Sequence, residues 1–201
     1  MDEPACTVGC AAVQDIPAML SIEKKYFDTC WQSKTNTLKN LIEKDPKMFR
    51  LCKVDNKLKG YYGILPLPYE IWKKVLRGQI LEDDAIPYLL SFEAPDVYLY
   101  IYSVIVDLSD KQHKTYTRKL IRDFARQFIL GQKRIMANIK AVGAFTVSEG
   151  GRRLVERSKF IYKGSFLGNN GLYVRSYAIK RENLLQQALK IREQHAQKRI
   201  A

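Results

Sequence analysis

Six residues carry the thiol and imidazole groups that most often ligate metals or act as nucleophiles. None of the four cysteines forms a Cys-x-x-Cys pair or lies close in sequence to a histidine, so the spacing argues against a zinc site and we expect no metal. A catalytic pair of one cysteine with a histidine at 113 is a minor alternative. In a chain without an export signal, we expect reduced and mostly buried thiols. The six residues are Cys6, Cys10, Cys30, Cys52, His113 and His195.

Three tyrosines alternate along the most apolar run of the sequence. The run from Val97 to Val106 is almost entirely Val, Ile, Leu and Tyr, which favours a buried strand over a helix. Because side chains alternate between the two faces of a strand, Tyr98, Tyr100 and Tyr102 are predicted to share one face. Their hydroxyls could act as acids, although aromatic packing is the commoner role of such rings.

The elements that position these residues alternate between strands and helices. Pro17 suits a first helical turn, Pro46 and Gly78 each follow a helical pattern, and Asn169-Asn170-Gly171 is typical of a hairpin turn. The pattern predicts strands at 6–12, 48–54, 60–67, 97–106, 133–139, 160–166 and 172–179, and helices near 15–27, 37–44, 69–77, 117–129, 146–155 and 181–198.

Size and charge set limits on the class of protein. The 201 residues are 46% hydrophobic and 27% charged, which suits one globular α/β domain. No apolar stretch approaches the roughly 20 residues of a membrane-spanning helix, and residues 1–12 do not resemble a signal peptide, so we expect a soluble, cytoplasmic protein. The net charge of +13 favours an anionic partner, such as nucleic acid, an acidic protein or a phosphorylated cofactor.

The order of elements resembles the GNAT-type N-acetyltransferase superfamily over residues 5–180. The segments that carry the resemblance are 8–27, 57–67 and 148–160, which are similar to the family's first strand and helix, its middle hairpin, and its last helix. The resemblance implies a mixed, mostly antiparallel sheet of six to seven strands flanked by helices. The helix at 181–201 would be an addition to this 1–180 domain, packed on the domain or on a partner subunit in a homodimer.

The same resemblance implies a site for acetyl-CoA or another acyl-CoA. The main chain of the long strand would bind the pantetheine arm, and the loop entering the next helix would bind the diphosphate. That loop reads Gln-x-x-Thr-x-Thr, where the family has Gln/Arg-x-x-Gly-x-Gly/Ala. The implied cofactor-binding residues are Val104, Ile105 and Val106 on the strand and Gln112, His113, Lys114, Thr115, Tyr116, Thr117 and Arg118 on the loop.

The expected activity is transfer of an acyl group to a primary amine, which requires a base for the amine and an acid for the leaving thiolate. Where several family members have a carboxylate on the long strand this chain has Tyr100 or Ile101, and where many have an acidic tyrosine on the last helix it has Val155. The substitute catalytic candidates are Glu93, Asp96, Tyr100 and Tyr102. The acceptor would contact the excursion before the long strand, through Tyr69, Trp72 and the acidic trio Glu82, Asp83 and Asp84.

Two function classes remain open from the sequence. The first is an N-acyltransferase for a small-molecule or protein amine. The second is an inactive binding module on the same fold, which senses CoA or binds an anionic partner such as nucleic acid through its basic surface. The threonines in the loop and the missing catalytic groups favour the second class, whereas the absence of a nucleic-acid-binding motif favours the first.

Overall fold

The structure is a computed structural model that describes residues 6–131, 138–168 and 171–197 of the chain. Its strands are β1 (Thr7–Cys10), β2 (Phe49–Val54), β3 (Lys57–Leu67), β4 (Val97–Val106), β5 (Ile139–Thr146), β6 (Ile161–Leu167) and β7 (Tyr173–Lys180). Its helices are α1 (Ile16–Tyr26), α2 (Thr35–Lys44), α3 (Tyr69–Leu76), α4 (Glu82–Ala85), α5 (His113–Phe124), α6 (Glu149–Arg157) and α7 (Arg181–Gln197), and a π-helical turn, Ala125–Ile129, continues α5.

The seven strands form one sheet in the order β1-β2-β3-β4-β5-β7-β6. The ladders β1–β2, β2–β3, β5–β7 and β6–β7 are antiparallel, and the ladder between β4 and β5 is parallel. The predicted α/β class, with a mostly antiparallel sheet of six to seven strands and a helix after the last strand, is therefore confirmed. The edges of the sheet are β1, which has four residues, and β6, whose pairing is interrupted between Tyr162 and Gly164.

The chain forms two compact units. Within the described residues, the first comprises 6–65, 101–123, 168 and 171–172, and the second comprises 66–100, 124–167 (without 132–137) and 173–197. The interpretation of residues 1–180 as one cofactor-binding domain with a separate final helix stays a prediction.

In the first unit, β2 and β3 form a hairpin with a two-residue turn. Asp55 and Asn56 both have positive φ, at 48° and 60°, which is the geometry of the turn that matches the twist of paired strands. The turn is shorter than the predicted 55–59, so β3 begins at Lys57 instead of Gly60. The core of this unit is formed by fully buried apolar side chains, including Met19, Leu38, Leu41, Phe49 and Leu51.

An ionic network is buried in the same unit. Asp123 of α5 accepts hydrogen bonds from Arg50 Nε at 2.9 Å and Nη2 at 3.0 Å, and from the Tyr62 hydroxyl at 2.8 Å. Burial opposes the charge of the Arg50 guanidinium, but its bonds to Asp123 keep the arginine pKa above its ordinary value. Burial and the adjacent carboxylate both raise the pKa of Tyr62, which therefore stays protonated. The network joins β2, β3 and α5.

In the second unit, three helices, α3, α6 and α7, pack on β5. The Trp72 indole of α3 donates to the Leu99 carbonyl at 3.0 Å, and a side chain at Gly143 of β5 would collide with that indole. The final helix α7 contacts β5, β7 and the π-helical turn, so it covers its own sheet. The predicted apolar stripe of α7 is half-buried at Leu184, Leu185 and Ala188 and exposed at Leu189, while the side chain of Ile191 lies outside the described part.

The strand predicted at 133–139 falls mostly on residues 132–137, which lie outside the described part. The next described strand is β5, Ile139–Thr146, which pairs with both β4 and β7 despite its alanines and glycine. The prediction of a capping box at 146–149 is wrong, since Thr146 ends β5 and Ser148 caps α6 by accepting from the Gly151 amide at 3.1 Å.

The expectation of reduced and mostly buried thiols is wrong for this structure. Cys6 and Cys52 form a disulfide, because the β1–β2 register pairs Val8 with Cys52 and brings the Cα atom of Cys6 to 6.4 Å from that of Cys52. Cys10 and Cys30 are free and exposed. None of the described contacts joins a cysteine to His113, whose ring Nδ1 lies 2.9 Å from the Asp110 carbonyl oxygen.

Candidate functional site

The long strand β4 leaves its parallel neighbour partway along. Its ladder with β5 runs from Val97 to Tyr100, where Tyr100 lies opposite Gly143. β4 then continues for six residues to Val106. The next residue, Asp107, donates a hydrogen bond from its amide to the Lys59 carbonyl of β3 at 2.9 Å. The predicted pantetheine-binding residues, Val104, Ile105 and Val106, all lie in the part of β4 beyond this ladder. Main-chain recognition in this part would tolerate many side chains.

The loop after β4 caps α5 with its own carboxylate. Asp110 Oδ1 accepts from the Gln112 amide at 2.9 Å, and the Asp110 carbonyl accepts from the His113 amide at 3.0 Å. The Thr115 and Tyr116 amides both donate to the Gln112 carbonyl, at 2.8 and 3.2 Å. Four of the amides predicted to hold a diphosphate therefore already have a partner, and α5 begins four residues earlier than predicted.

The side chains of this loop divide into buried and exposed groups. Tyr116 is 2% exposed and its hydroxyl donates to Asp110 at 3.2 Å, so its ring is packed in the core of the first unit. The Thr117 hydroxyl donates back to the His113 carbonyl at 2.9 Å. Lys114 and Arg118 are exposed. The cations are thus accessible to a ligand, while Tyr116 serves packing.

Two ionised carboxylates stabilise the loop. Asp107 accepts from the Ser109 hydroxyl at 2.6 Å, the Tyr26 hydroxyl at 2.7 Å and Lys25 at 3.2 Å, and these bonds hold its pKa well below the usual range. Asp110 accepts from Lys59 at 2.8 Å, and this bond, together with that from the Gln112 amide, lowers the pKa of Asp110. Each carboxylate is balanced by a lysine.

The residues present fit an anionic group at the start of α5. Within the described residues, the amides of Lys111 and Lys114 donate no hydrogen bond, and Lys114 and Arg118 add cationic side chains. Unused amides at a helix N-terminus are natural donors to phosphate. The threonines at 115 and 117 restrict how closely a ligand can approach the main chain, so we expect the fit to depend on Lys114.

The candidate catalytic tyrosines have different surroundings. Tyr100 is 1% exposed, donates to Glu82 Oε1 of α4 at 2.6 Å, and lies where the β4–β5 ladder ends. Tyr102 is half-buried, with its ring centroid 6.0 Å from that of Phe49. The carboxylate partner of Tyr100 was missed from the sequence, although Glu82 belongs to the acidic trio that the sequence placed in the acceptor wall. A tyrosine bonded to a carboxylate can pass its proton on as it accepts another.

The candidate carboxylates Glu93 and Asp96 lie on exposed turns at the start of β4. Asp96 has a φ of 57° and forms an ion pair with Lys140 at 2.9 Å, and the Glu93 carbonyl accepts from the Asn138 side chain at 2.9 Å. Both carboxylates belong to the second unit, whereas the loop that carries the candidate anion site belongs to the first.

The predicted acceptor residues form an aromatic cluster with a third ring. Tyr69 and Trp72 stack at 6.3 Å between centroids, and Tyr98 lies 5.0 and 5.3 Å from them. Tyr69 is 44% exposed, and Lys73 Nζ lies 5.4 Å from its ring centroid. The Tyr69 ring thus already has Lys73 as a cationic partner, and its exposed part is where an acceptor could contact it.

Over residues 6–131, 138–168 and 171–197, no group of three or more His, Cys, Asp or Glu side chains is placed to hold a metal ion. None of the helices in these ranges combines the length and apolarity needed to cross a membrane.

Comparison with known proteins identifies the fold. No family model and no curated protein matches the chain. The loading GNATL domain of CurA from Lyngbya majuscula is 12% identical, with a TM-score of 0.66 over 88% of this chain and 98% of that one. GphF, a GNAT-like decarboxylase in complex with isobutyryl-CoA, is 10% identical, with a TM-score of 0.61 over 87% and 99%. Diaminobutyrate acetyltransferase EctA from Paenibacillus lautus, in complex with its substrate and coenzyme A, is 10% identical, with a TM-score of 0.57 over 89% and 96%. The chain therefore has the GNAT-type N-acetyltransferase fold.

Proposed function

We propose that this protein is an acyl-CoA-dependent N-acyltransferase that acts on a primary amine, with acetyl-CoA as the first donor to test. The observation that carries the proposal is the course of β4, which leaves its ladder with β5 at Tyr100 and ends at a loop leading into the basic start of α5. Two of the similar structures contain coenzyme A or an acyl-CoA, which supports a donor of this class. A cytoplasmic location is part of the proposal.

In this proposal the chain's own residues bind and orient the donor. The main chain of Val104, Ile105 and Val106 aligns the pantetheine arm, and the Lys114 amide, with the Lys114 and Arg118 side chains, binds the diphosphate. The thioester of the bound donor supplies the activated acyl group. Asp107 and Asp110 keep the loop in one conformation through their bonds to Tyr26, Lys25 and Lys59, so that less ordering is needed on binding.

The proton of the amine is proposed to pass to Tyr100. Its hydroxyl donates to Glu82, so the phenol oxygen can accept a proton from the amine as its own proton moves to the carboxylate. The exposed Tyr69 ring, supported by Trp72, would hold a cationic acceptor before it loses that proton. Glu93 and Asp96 stay candidates with weaker support because they lie on exposed turns before β4, and Tyr102 stays one because it lies beyond the end of the ladder, with its ring packed against Phe49.

Thermal stability and turnover measured together test the proposal. Acetyl-CoA at 100 times its Kd should stabilise the fold by about 2.7 kcal/mol, because it binds only the folded state, and an amine panel should then reveal release of free thiol. Stabilisation without turnover would leave the CoA-sensing module as the function. Absence of stabilisation by acetyl-CoA, longer acyl-CoAs and CoA itself would contradict both.

A tyrosine variant tests the proton route. Tyr100→Phe should lower kcat by about 10²- to 10⁴-fold and leave the stabilisation by acetyl-CoA unchanged, since only the hydroxyl is removed. Tyr98→Phe is the matched control, because it removes a hydroxyl from the same face of β4 and should keep kcat within about twofold. A normal kcat in Tyr100→Phe would exclude this role for Tyr100.

The binding module remains a second candidate because of one feature of the loop. Thr115 and Thr117 stand where glycines would give a phosphate close access to the main chain, and the Thr117 hydroxyl is already bonded to His113. In a CoA sensor, binding would occur but the amine panel would give no product.

A further inference from the structure

One face of α5 presents a row of exposed cations. Lys114, Arg118 and Arg122 follow one another at intervals of four residues in α5, so their side chains share one face of the helix, and Lys111 lies in the turn just before it. We call these four residues the α5 stripe. All four are exposed, and among the described residues none of them forms an ion pair. Basic residues that are scattered in the sequence are thus aligned by the helix.

The stripe contrasts with the described helix α6, which carries three arginines. Arg152 of α6 bonds Glu149 at 2.6 Å and Glu156 at 2.8 Å, and Arg153 bonds Glu149 at 2.8 Å. These bonds lower the pKa of Glu149 to about 2 and neutralise the face of α6. The α5 stripe has no such acidic partners, so its charge is available to another molecule.

The position of the stripe at the start of α5 also favours the binding of an anion. The N-terminal end of a helix carries partial positive charge and the first turn of α5 adds Lys114, while the capping carboxylate of Asp110 is already paired with Lys59. An anion lying along the stripe would reduce the repulsion between the positive end of the helix and the cationic side chains of the stripe. The opposite face of α5 is anchored by buried Tyr116 and Leu120 and by the bonds of Asp123 to Arg50, so the cations are displayed in a fixed row.

The dimensions of the stripe suit a phosphodiester backbone. From Lys114 to Arg122 the helix rises about 12 Å, a length over which each strand of a duplex carries three to four phosphates. The stripe contains no aromatic side chain that could stack on unpaired bases, which is how single strands are usually bound. The guanidinium groups of Arg118 and Arg122 can each bond two phosphate oxygens.

We propose that the α5 stripe binds the phosphate backbone of a double-helical nucleic acid without reading its sequence. This interaction is additional to the proposed acyl transfer and does not depend on it. Lys114 and Arg118 would be shared by the two ligands, so the duplex and acyl-CoA would compete at the start of α5.

Salt dependence of binding tests the proposal on the full chain without CoA. A fluorescent 20-base-pair DNA duplex should bind with a slope of log K against log salt near −3 to −4, as expected for three to four phosphate contacts. The double variant Lys111→Gln/Arg122→Gln should reduce the magnitude of the slope by about 2 and weaken binding about 10- to 100-fold at 50 mM salt. Arg152→Gln/Arg153→Gln removes the same charge from α6 and should leave the slope unchanged.

Three outcomes would overturn the proposal. An equal loss of duplex affinity in the two double variants would mean that the duplex binds to the net positive charge of the protein and not to the stripe. Tighter binding of the single strand would indicate base stacking elsewhere on the protein. Equal binding of poly-glutamate, weakened by the same stripe variant, would make an acidic protein the partner. Circular dichroism of both double variants checks that loss of binding is not loss of folding.

Discussion

Asp123 is the residue on which the packing of α5 depends. Its side chain is 3% exposed and that of Arg50 is 11% exposed, so the pair is largely removed from water, and Asp123 is the carboxylate that faces the Arg50 guanidinium. A buried pair of this kind adds little by itself to stability, because desolvation offsets the attraction. Removal of the Asp123 carboxylate, however, leaves the buried Arg50 cation without its counter-charge.

Asp123→Asn should therefore destabilise the protein by about 3 to 5 kcal/mol, measured by urea unfolding. The matched control is Glu43→Gln, which breaks the half-exposed Lys39–Glu43 pair at 3.9 Å and should cost less than about 1 kcal/mol. Similar losses in the two variants would show that the network around Asp123 is exposed to water in solution.

Sequence patterns could have located Asp123 but not the partner of Tyr100. Asp123 lies three residues after Leu120 on the apolar face of α5, so an acid at a core position was visible as an exception to the periodicity. Glu82 lies 18 residues before Tyr100 in a different element, and only tertiary packing brings the two together. The partner of Asp110, Lys59, is equally remote in sequence.

At the scale of elements, two glycines have opposite roles. A Cβ at Gly60 of β3 would lie 2.6 Å from the Ile105 carbonyl oxygen, so Gly60 allows close contact with β4. Gly150 lies in the first turn of α6, where a Cβ would meet nothing within 4 Å.

Gly60→Ala should destabilise the fold by about 1 to 3 kcal/mol, because the colliding atom belongs to main chain and has little freedom to move. Gly150→Ala should stabilise the fold by about 0.5 to 1 kcal/mol, because alanine loses less backbone entropy in a helix. Urea unfolding of both variants measures the difference. Equal changes in the same direction would contradict the described contact between β3 and β4.

Most element boundaries follow from local signals, whereas those of β5 and α5 do not. Proline, glycine and the spacing of apolar residues, which is a continuous run in β4 and helical in α1, predicted β4, α1 and the β6–β7 hairpin within a few residues of the structure. β5 contains Ala141, Gly143 and Ala144, which are weak strand formers, so its pairing with two neighbours overrides local preference. α5 begins early because Asp110 caps it, and the sequence shows no apolar periodicity there.

At the scale of the whole molecule, the disulfide between Cys6 and Cys52 closes a loop with a sequence separation of 46 residues. Restricting such a loop in the unfolded chain corresponds to about 4 kcal/mol. Cys6→Ser should lower the urea midpoint of the oxidised protein, and reductant should lower the wild type to the same value. Cys30→Ser, which removes a free exposed thiol, is the control and should have no effect. A wild type insensitive to reductant would mean that the two thiols are not joined in solution.

The short β1 and the interrupted β6 also affect behaviour at high concentration. An unpaired strand at the margin of a sheet is a template on which another polypeptide can add by main-chain hydrogen bonding. One margin here offers only four residues, and the other is bent by an extra residue next to Gly164, whose φ is 141°. Neither margin offers a long, straight template, so the sheet resists growth into fibrils even when the protein is concentrated.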